Sequence, residues 1–208
     1  MIALIQARMT STRLPGKVLM DLGGDPLINR VYDACSKACK TVILIPYGDD
    51  LLRAHCIKMN WQYREGPEDD VLERYIGAVR SYPEETHFAR ITSDCPLLST
   101  SELFYMGHIA KDFDMVSNCT TDARDGMEID ILSRAGWEWL NKHGVGNGHR
   151  EHVTTYVKDN LPAFKAKLTF AEHREWYLSE WIPSLSIDTA EQMKAVGKVM
   201  RKWCSYEE

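Results

Sequence analysis

Short apolar runs alternate with stretches of helical periodicity through the first half of this chain, which leaves few architectures open to it. Residues 1–5 form a continuous apolar run of the kind that fills a strand buried on both faces. Gly23-Gly24-Asp25-Pro26 then opens a helix with Leu27, Ile28, Val31 and Ala34 on one face. Residues 41–45 are the next apolar run, closed by Pro46, and residues 49–59 have helical character. Residues 65–70 read as a turn and helix start, followed by a stripe of Val71, Leu72, Tyr75, Ile76 and Val79. The pattern predicts strands at 87–91 and 114–117 with a helix at 100–110 between them. Such alternation specifies a doubly wound α/β sheet, mostly parallel and Rossmann-like, whose ligands bind beyond the carboxyl ends of the strands. The polar loops at 7–17 and 92–96 both follow strands, so they are expected to meet on that edge.

The second half is less regular. Residues 126–132, 164–170 and 185–187 are strand candidates, and 134–142, 151–160 and 190–203 are helical. No repeat or linker divides the 208 residues, so one domain is expected, with halves at 1–120 and 121–208. Trp137, Trp139, Trp176 and Trp181 concentrate in this half and read as core packing ahead of a dimer contact.

The net charge of -5 argues against a sequence-independent nucleic-acid binder, though a local cluster of cations can still hold a small anion. The six cysteines form no C-x-x-C pair, and the opening apolar run reaches Arg8 too soon for a secretory leader. No stretch approaches the ~20 apolar residues of a membrane span. A cytoplasmic chain with reduced thiols and no membrane partner is the expectation.

The strongest chemical signal is Gln6-Ala7-Arg8-Met9-Thr10-Ser11-Thr12-Arg13-Leu14-Pro15-Gly16-Lys17. Arg8, Arg13 and Lys17 concentrate positive charge directly after the first strand, Ser11 and Thr12 add hydroxyls, and the loop's N–H groups can form an anion-binding concavity. Chemistry on a triphosphate needs that combination, because charge building on the phosphoryl oxygens must meet pre-placed donors. The loop is not a Walker A motif, since Val18 rather than a hydroxyl residue follows the lysine.

Arg8-x-x-Ser11-x-Arg13-Leu14-Pro15-Gly16-Lys17 resembles the signature of the cytidylyltransferases that activate acidic sugars, including the CMP-KDO, CMP-acylneuraminate and spore-coat polysaccharide types. The resemblance continues through Asp69-Asp70-Val71-Leu72-Glu73-Arg74-Tyr75, Arg90-Ile91-Thr92-Ser93-Asp94-Cys95-Pro96, Val116-Ser117-Asn118, Asp125-Gly126-Met127-Glu128, Arg150-Glu151-His152 and Ser186-Ile187-Asp188-Thr189. It implies a nucleotidyltransferase (GT-A) type of sheet with a smaller acceptor or dimerisation lobe, and transfer of CMP from CTP to a sugar or sugar-acid acceptor with release of pyrophosphate. By that similarity Arg8 and Lys17 are the catalytic cations. Ala7, Met9, Ser11, Arg13 and Asp94 join them around the nucleotide, and the protein is a homodimer.

Asp94 follows a strand and is held by an Asp-x-Pro turn, a good place for a Mg²⁺ ligand, with Asp188 as the second carboxylate. Helix capping competes with metal binding for both. Asp125, Glu128 and Asp130 form an acidic set at a predicted strand, with Glu128 and Asp130 on one face; the resemblance puts them, with Arg150, on the acceptor side, and a solvated strand edge stays open as the bland alternative. His149 and His152 lack a third zinc ligand nearby, so Glu151 and His152 read as capping and packing residues. Thr10 stands where the similar proteins often have Gly, which stiffens that bend. Three other readings remain: a different nucleotide or acceptor such as a phosphonate or polyol phosphate, a nucleotide-sugar-dependent glycosyltransferase, and a non-catalytic nucleotide-binding module.

Overall fold

The computed structural model describes residues 1–119, 126–168 and 185–204. Along the chain run β1 (Ile2–Gln6), α1 (Leu27–Ser36), β2 (Lys40–Pro46), α2 (Asp50–Lys58), β3 (Tyr63–Gly66), α3 (Val71–Arg80), β4 (His87–Thr92) and α4 (Thr100–Ile109). There follow β5 (Met115–Ser117), β6 (Asp130–Ser133), α5 (Arg134–His143), α6 (Asn147–Glu151), α7 (Thr155–Asp159), β7 (Ala166–Leu168) and α8 (Ala190–Cys204).

Among the described residues the strands form one seven-stranded sheet in the order β3-β2-β1-β4-β6-β5-β7. β1 lies parallel between β2 and β4, β3 runs parallel to β2, and β7 parallel to β5. Only β6 opposes its neighbours, β4 and β5. The mostly parallel, doubly wound sheet expected from the alternation is therefore present.

Burial explains why β1 is apolar from Ile2 to Ile5. Ala3 and Ile5 face one core with Ile28, Val31 and Leu103 of α1 and α4, while Ile2 and Leu4 face the other with Tyr75, Ile76 and Val79 of α3. The α3 stripe predicted from spacing is wholly buried, and Asp70 caps that helix by accepting from Glu73 N at 2.9 Å. The chain leaves β1 towards β2 and later returns on the other side through β4. The ends of β1 and β4 thus flank the switch point where such sheets form a crevice.

Several elements differ from expectation for physical reasons. β3 has no counterpart in the expected strands, and its last two residues fall in the turn read at 65–70, because Tyr63-Arg64-Glu65-Gly66 is polar; as an edge strand pairing only with β2 among the described residues it needs no second apolar face. The strand predicted at 126–132 begins only at Asp130, because the Asn118 side chain holds Met127 O and Ile129 N in place of a continuing ladder. Residues 185–187 are not a strand, although Ile187 N donates to Asp94 O at 2.9 Å. The helix predicted at 151–160 is broken into α6 and α7 at 152–154. Trp137 is buried and stacks on Tyr75 with ring centroids 5.0 Å apart, whereas Trp176 and Trp181 lie outside the described residues. No helix among the described residues is long and apolar enough to cross a membrane.

Candidate active site

The loop after β1 is held in shape from several sides. Ala7 N donates to Leu44 O, Met9 N to Asp49 Oδ2, Leu14 N to Ser11 Oγ and Gly16 N to Met9 O. The Thr10 hydroxyl donates to the Glu68 carboxylate, so the residue that departs from the expected Gly supplies a latch to the β3–α3 turn. Gly16 turns the chain at φ 73°, a left-handed conformation that favours glycine, and the 3-10 turn Lys17–Leu19 then carries Lys17 inward.

Lys17 is 7% exposed, and its Nζ lies 2.8 Å from Asp94 Oδ2, 2.8 Å from Asp188 Oδ1 and 2.6 Å from Ile187 O. Arg13 Nη2 approaches Asp188 Oδ2 at 2.9 Å. Burial draws the Lys17 pKa down, but the Asp94 and Asp188 carboxylates outweigh it, and the net direction is upward. Burial likewise pulls the Asp94 carboxyl up, and the adjacent Lys17 ammonium overrides it to hold the pKa below the ordinary value.

The capping alternative for the two aspartates resolves in the geometry. Asp188 N and Thr189 N both donate to Gln192 Oε1, and Gln192 N donates to Thr189 Oγ1, so Thr189 and Gln192 cap α8. The Asp188 carboxylate is left to face Lys17 and Arg13. At α4 the cap is Ser99, which accepts from Glu102 N, and not Asp94.

These groups open onto a cavity of about 180 Å³ at the carboxyl ends of β1 and β4, lined by Arg8, Ser11, Arg13, Lys17, Asp94 and Asp188, with Gln6, Ala7, Arg74 and Arg90 along its wall. Arg8 makes no hydrogen bond or ion pair among the described residues. Met9 lines a separate cavity on the far side of the loop, with Asp49 and Glu68. Arg74 is 3% exposed and donates to Pro67 O at 3.0 Å and Glu68 O at 2.9 Å; burial lowers its pKa.

A second cavity of about 260 Å³ adjoins the first, sharing Arg90, Thr92, Asp94 and His152 with it. Glu128 and Lys158 stand on its wall, and Glu128 Oε2 accepts from Gly126 N at 2.8 Å. Cys95 lies there too, its thiol pKa raised well above the ordinary value by burial. Asp130 is fully buried and receives Ser117 Oγ at 2.5 Å, Thr154 Oγ1 at 2.7 Å and Lys158 Nζ at 3.0 Å, with Arg90 Nη1 at 3.6 Å. Burial raises the Asp130 pKa, but Lys158 and Arg90 together with the hydroxyl donors bring it below the usual value.

The structure thus gathers Ala7, Arg8, Ser11, Arg13, Lys17, Asp94 and Asp188 around one cavity and puts Glu128 on the next. Arg150 lines neither: its Nε donates to Asp70 Oδ2 at 2.6 Å and joins α6 to the start of α3. Asp125 lies outside the described residues. Sequence reading passed over Gln6, Arg74, Arg90 and Lys158. The signal available for Arg90 was a cation within an apolar strand, since a charge is seldom placed there without a partner.

Oxygens of Asp94, Asp188 and Ile187 converge on one point that the Lys17 ammonium holds, a hard-oxygen set suited to a cation. Among the described residues there is no group of three or more His, Cys, Asp or Glu that could hold a metal. Mg²⁺ does not require one, because it usually takes one or two carboxylates with phosphate oxygens and water completing the shell. The residues present therefore fit Mg²⁺.

Residues 2–201 match the family model described as cytidylyltransferase, and the chain belongs to that family. It is 29% identical over 211 residues to the spore coat polysaccharide biosynthesis protein SpsF of Bacillus subtilis (strain 168), covering 96% of this chain and 85% of that protein. A cytidylyltransferase structure from Leptospira borgpetersenii serovar Hardjo-bovis (strain JB197) superposes with a TM-score of 0.82 at 25% identity, covering 98% of this chain and 95% of that one. The CMP:2-keto-3-deoxy-manno-octonic acid synthetase complexed with CTP shares the fold, with a TM-score of 0.73 at 13% identity over 97% and 98% of the two chains. The protein is a CTP-dependent nucleotidyltransferase.

Proposed function

We propose that this protein transfers CMP from CTP to a hydroxyl of a sugar or sugar-acid acceptor, releasing pyrophosphate in a Mg²⁺-dependent reaction. The observation that carries the reading is Lys17 seated between Asp94 and Asp188 beyond the end of β1, with Arg8 on the same cavity and without a hydrogen bond or ion pair among the described residues. The acceptor hydroxyl oxygen bonds to the α-phosphorus and gives up its proton to solvent, while the bond from the α-phosphorus to the oxygen bridging to the β-phosphate breaks and pyrophosphate departs with that electron pair. Arg8, Arg13 and Lys17 meet the phosphate charge, and Lys17 counters what accumulates at the reacting phosphoryl group. Asp94 and Asp188 would hold Mg²⁺, which supplies charge neutralisation and alignment of the phosphates. The backbone at Ala7 and the Ser11 hydroxyl border the nucleotide, while Met9 acts from the outer side of the loop.

The acceptor occupies the second cavity. Glu128 faces it, Asp130 acts there through Arg90 and Lys158, and Arg150 acts by fixing α6 against α3. Both halves serve one catalytic unit, because Asp188 comes from the second half and Lys17 from the first. The proposal includes a cytoplasmic homodimer, which the resemblance to the sugar-activating cytidylyltransferases implies.

A screen of sugar acids and phosphorylated polyols with Mg·CTP, read by phosphate release after pyrophosphatase, tests the proposal. Acceptor-dependent pyrophosphate release is the expected outcome, with formation of the CMP-linked product, followed directly by chromatography, abolished by EDTA. Nucleoside diphosphate release from a nucleotide-sugar would support glycosyl transfer instead.

A further inference from the structure

Two buried atoms on the first cavity have no partner among the described residues: Gln6 Oε1 and Arg90 Nε. They come from adjacent strands and one face of the sheet. Gln6 pairs with Thr92 and Leu4 with Arg90, and Leu4 packs in the core that α3 covers; alternate residues of a strand share a face. The Arg90 guanidinium is anchored at its far end, where Nη1 faces Asp130 at 3.6 Å. The Gln6 side-chain amide makes no hydrogen bond among the described residues. A buried acceptor and a buried donor left open on one cavity weaken folding, since each has lost water without gaining a partner.

We propose that Gln6 and Arg90 form a hydroxyl-binding subsite that takes a ribose hydroxyl of the nucleotide, so that they select a ribonucleotide over its deoxy form. The inference rests on reading the first cavity as the CTP site. Phosphate oxygens only accept, so they suit the glutamine amide only with its Nε2 turned inward, and Arg8, Arg13 and Lys17 already offer them charged donors on this cavity. A base edge presents donor and acceptor on separate atoms in a fixed order, which suits one orientation of the glutamine amide and not the other. A hydroxyl donates and accepts at one atom and suits both. Arg90 reaches both cavities but Gln6 only the first, so the hydroxyl belongs to the nucleotide and not to the acceptor.

The test is calorimetric binding of CTP, 2′-deoxy-CTP, 3′-deoxy-CTP and UTP, with Mg²⁺, to the wild type and to Gln6→Met, alongside thermal melts. The wild type should bind one of the two deoxynucleotides at least about 5-fold more weakly than CTP, because that analogue leaves buried groups unpaired. Gln6→Met should bind CTP and that analogue alike, with a melting temperature no lower than the wild type's, and Gln6→Leu repeats the measurement if the first variant does not fold. A wild type indifferent to both hydroxyls, or a variant that keeps the discrimination, would overturn the proposal. A variant that instead changes the CTP-to-UTP ratio would place a base edge there and also overturn it. These results leave the CTP site standing, whereas a wild type that binds no CTP would sink both.

Discussion

Lys17 and Asp188 are 171 residues apart in sequence, yet the ammonium and the carboxylate meet at 2.8 Å, with Asp94 at the same distance on the other side. The ammonium is therefore the counter-ion of two carboxylates from different halves of the chain, and its contact with Asp94 favours the charged form of both Lys17 and Asp94. In the proposed reaction Mg·CTP would offer the carboxylates a divalent ion and the lysine a set of phosphate oxygens, so that ligand binding would exchange partners without leaving a charge bare.

Lys17→Met should lower turnover by about 100-fold or more, the scale for losing a donor aimed at developing charge. It also strands Asp94 and Asp188, so the melting temperature should fall without ligand and recover more with added Mg²⁺ than the wild type's does. Unchanged pyrophosphate release would remove the catalytic role, and equal Mg²⁺ shifts in both proteins would remove the metal site.

Acid should destabilise the fold partly through Asp130. Its folded pKa lies below the unfolded value of about 3.9, so the unfolded chain binds more protons and stability rises with pH. The contribution is complete above the unfolded pKa and lost as pH falls through the lowered folded one. Urea unfolding of the wild type and Asp130→Asn should thus differ most in the slope of stability against pH below about pH 4, with the variant shallower. Parallel slopes would contradict the assignment.

Gly126→Ala should destabilise by about 2–4 kcal/mol, combining backbone strain with overpacking. Gly126 sits at φ 102°, and an added Cβ would lie 2.1 Å from Ser186 N and 2.2 Å from Leu185 C. Because residues 185–187 lead into Asp188, Mg²⁺ affinity should weaken along with the melting temperature. A variant that melts like the wild type would show that the two segments do not touch in solution.

Asn118→Ala should cost about 1–3 kcal/mol, the penalty for leaving buried polar groups unpaired. Asn118 Oδ1 accepts from Ile129 N at 2.7 Å, while Nδ2 donates to Met127 O at 2.9 Å and Glu102 Oε1 at 3.0 Å. Denaturant midpoints measure the loss, and a change within a few tenths of a kcal/mol would mean that these groups find other partners.

What the sequence by itself determined was whatever depends on local periodicity or local charge. The β1 run, the α3 stripe and the cationic loop could be read because strand burial, helix spacing and phosphate chemistry each constrain neighbouring residues. β3 escaped because an edge strand lacks the apolar signature of a central one. The place of β6 escaped because an antiparallel insertion between β4 and β5 is a choice of pairing, not of local propensity. Tertiary structure alone decided that Asp188 leaves capping to Thr189 and Gln192 and turns to Lys17, that Asp130 is buried beneath Arg90 and Lys158, and that Arg150 goes to Asp70. Each of those outcomes depends on which charge lies within about 4 Å, where the interaction is strong enough to set a side chain's orientation. Such distances are set by how the sheet is ordered, and spacing along the chain carries no record of them.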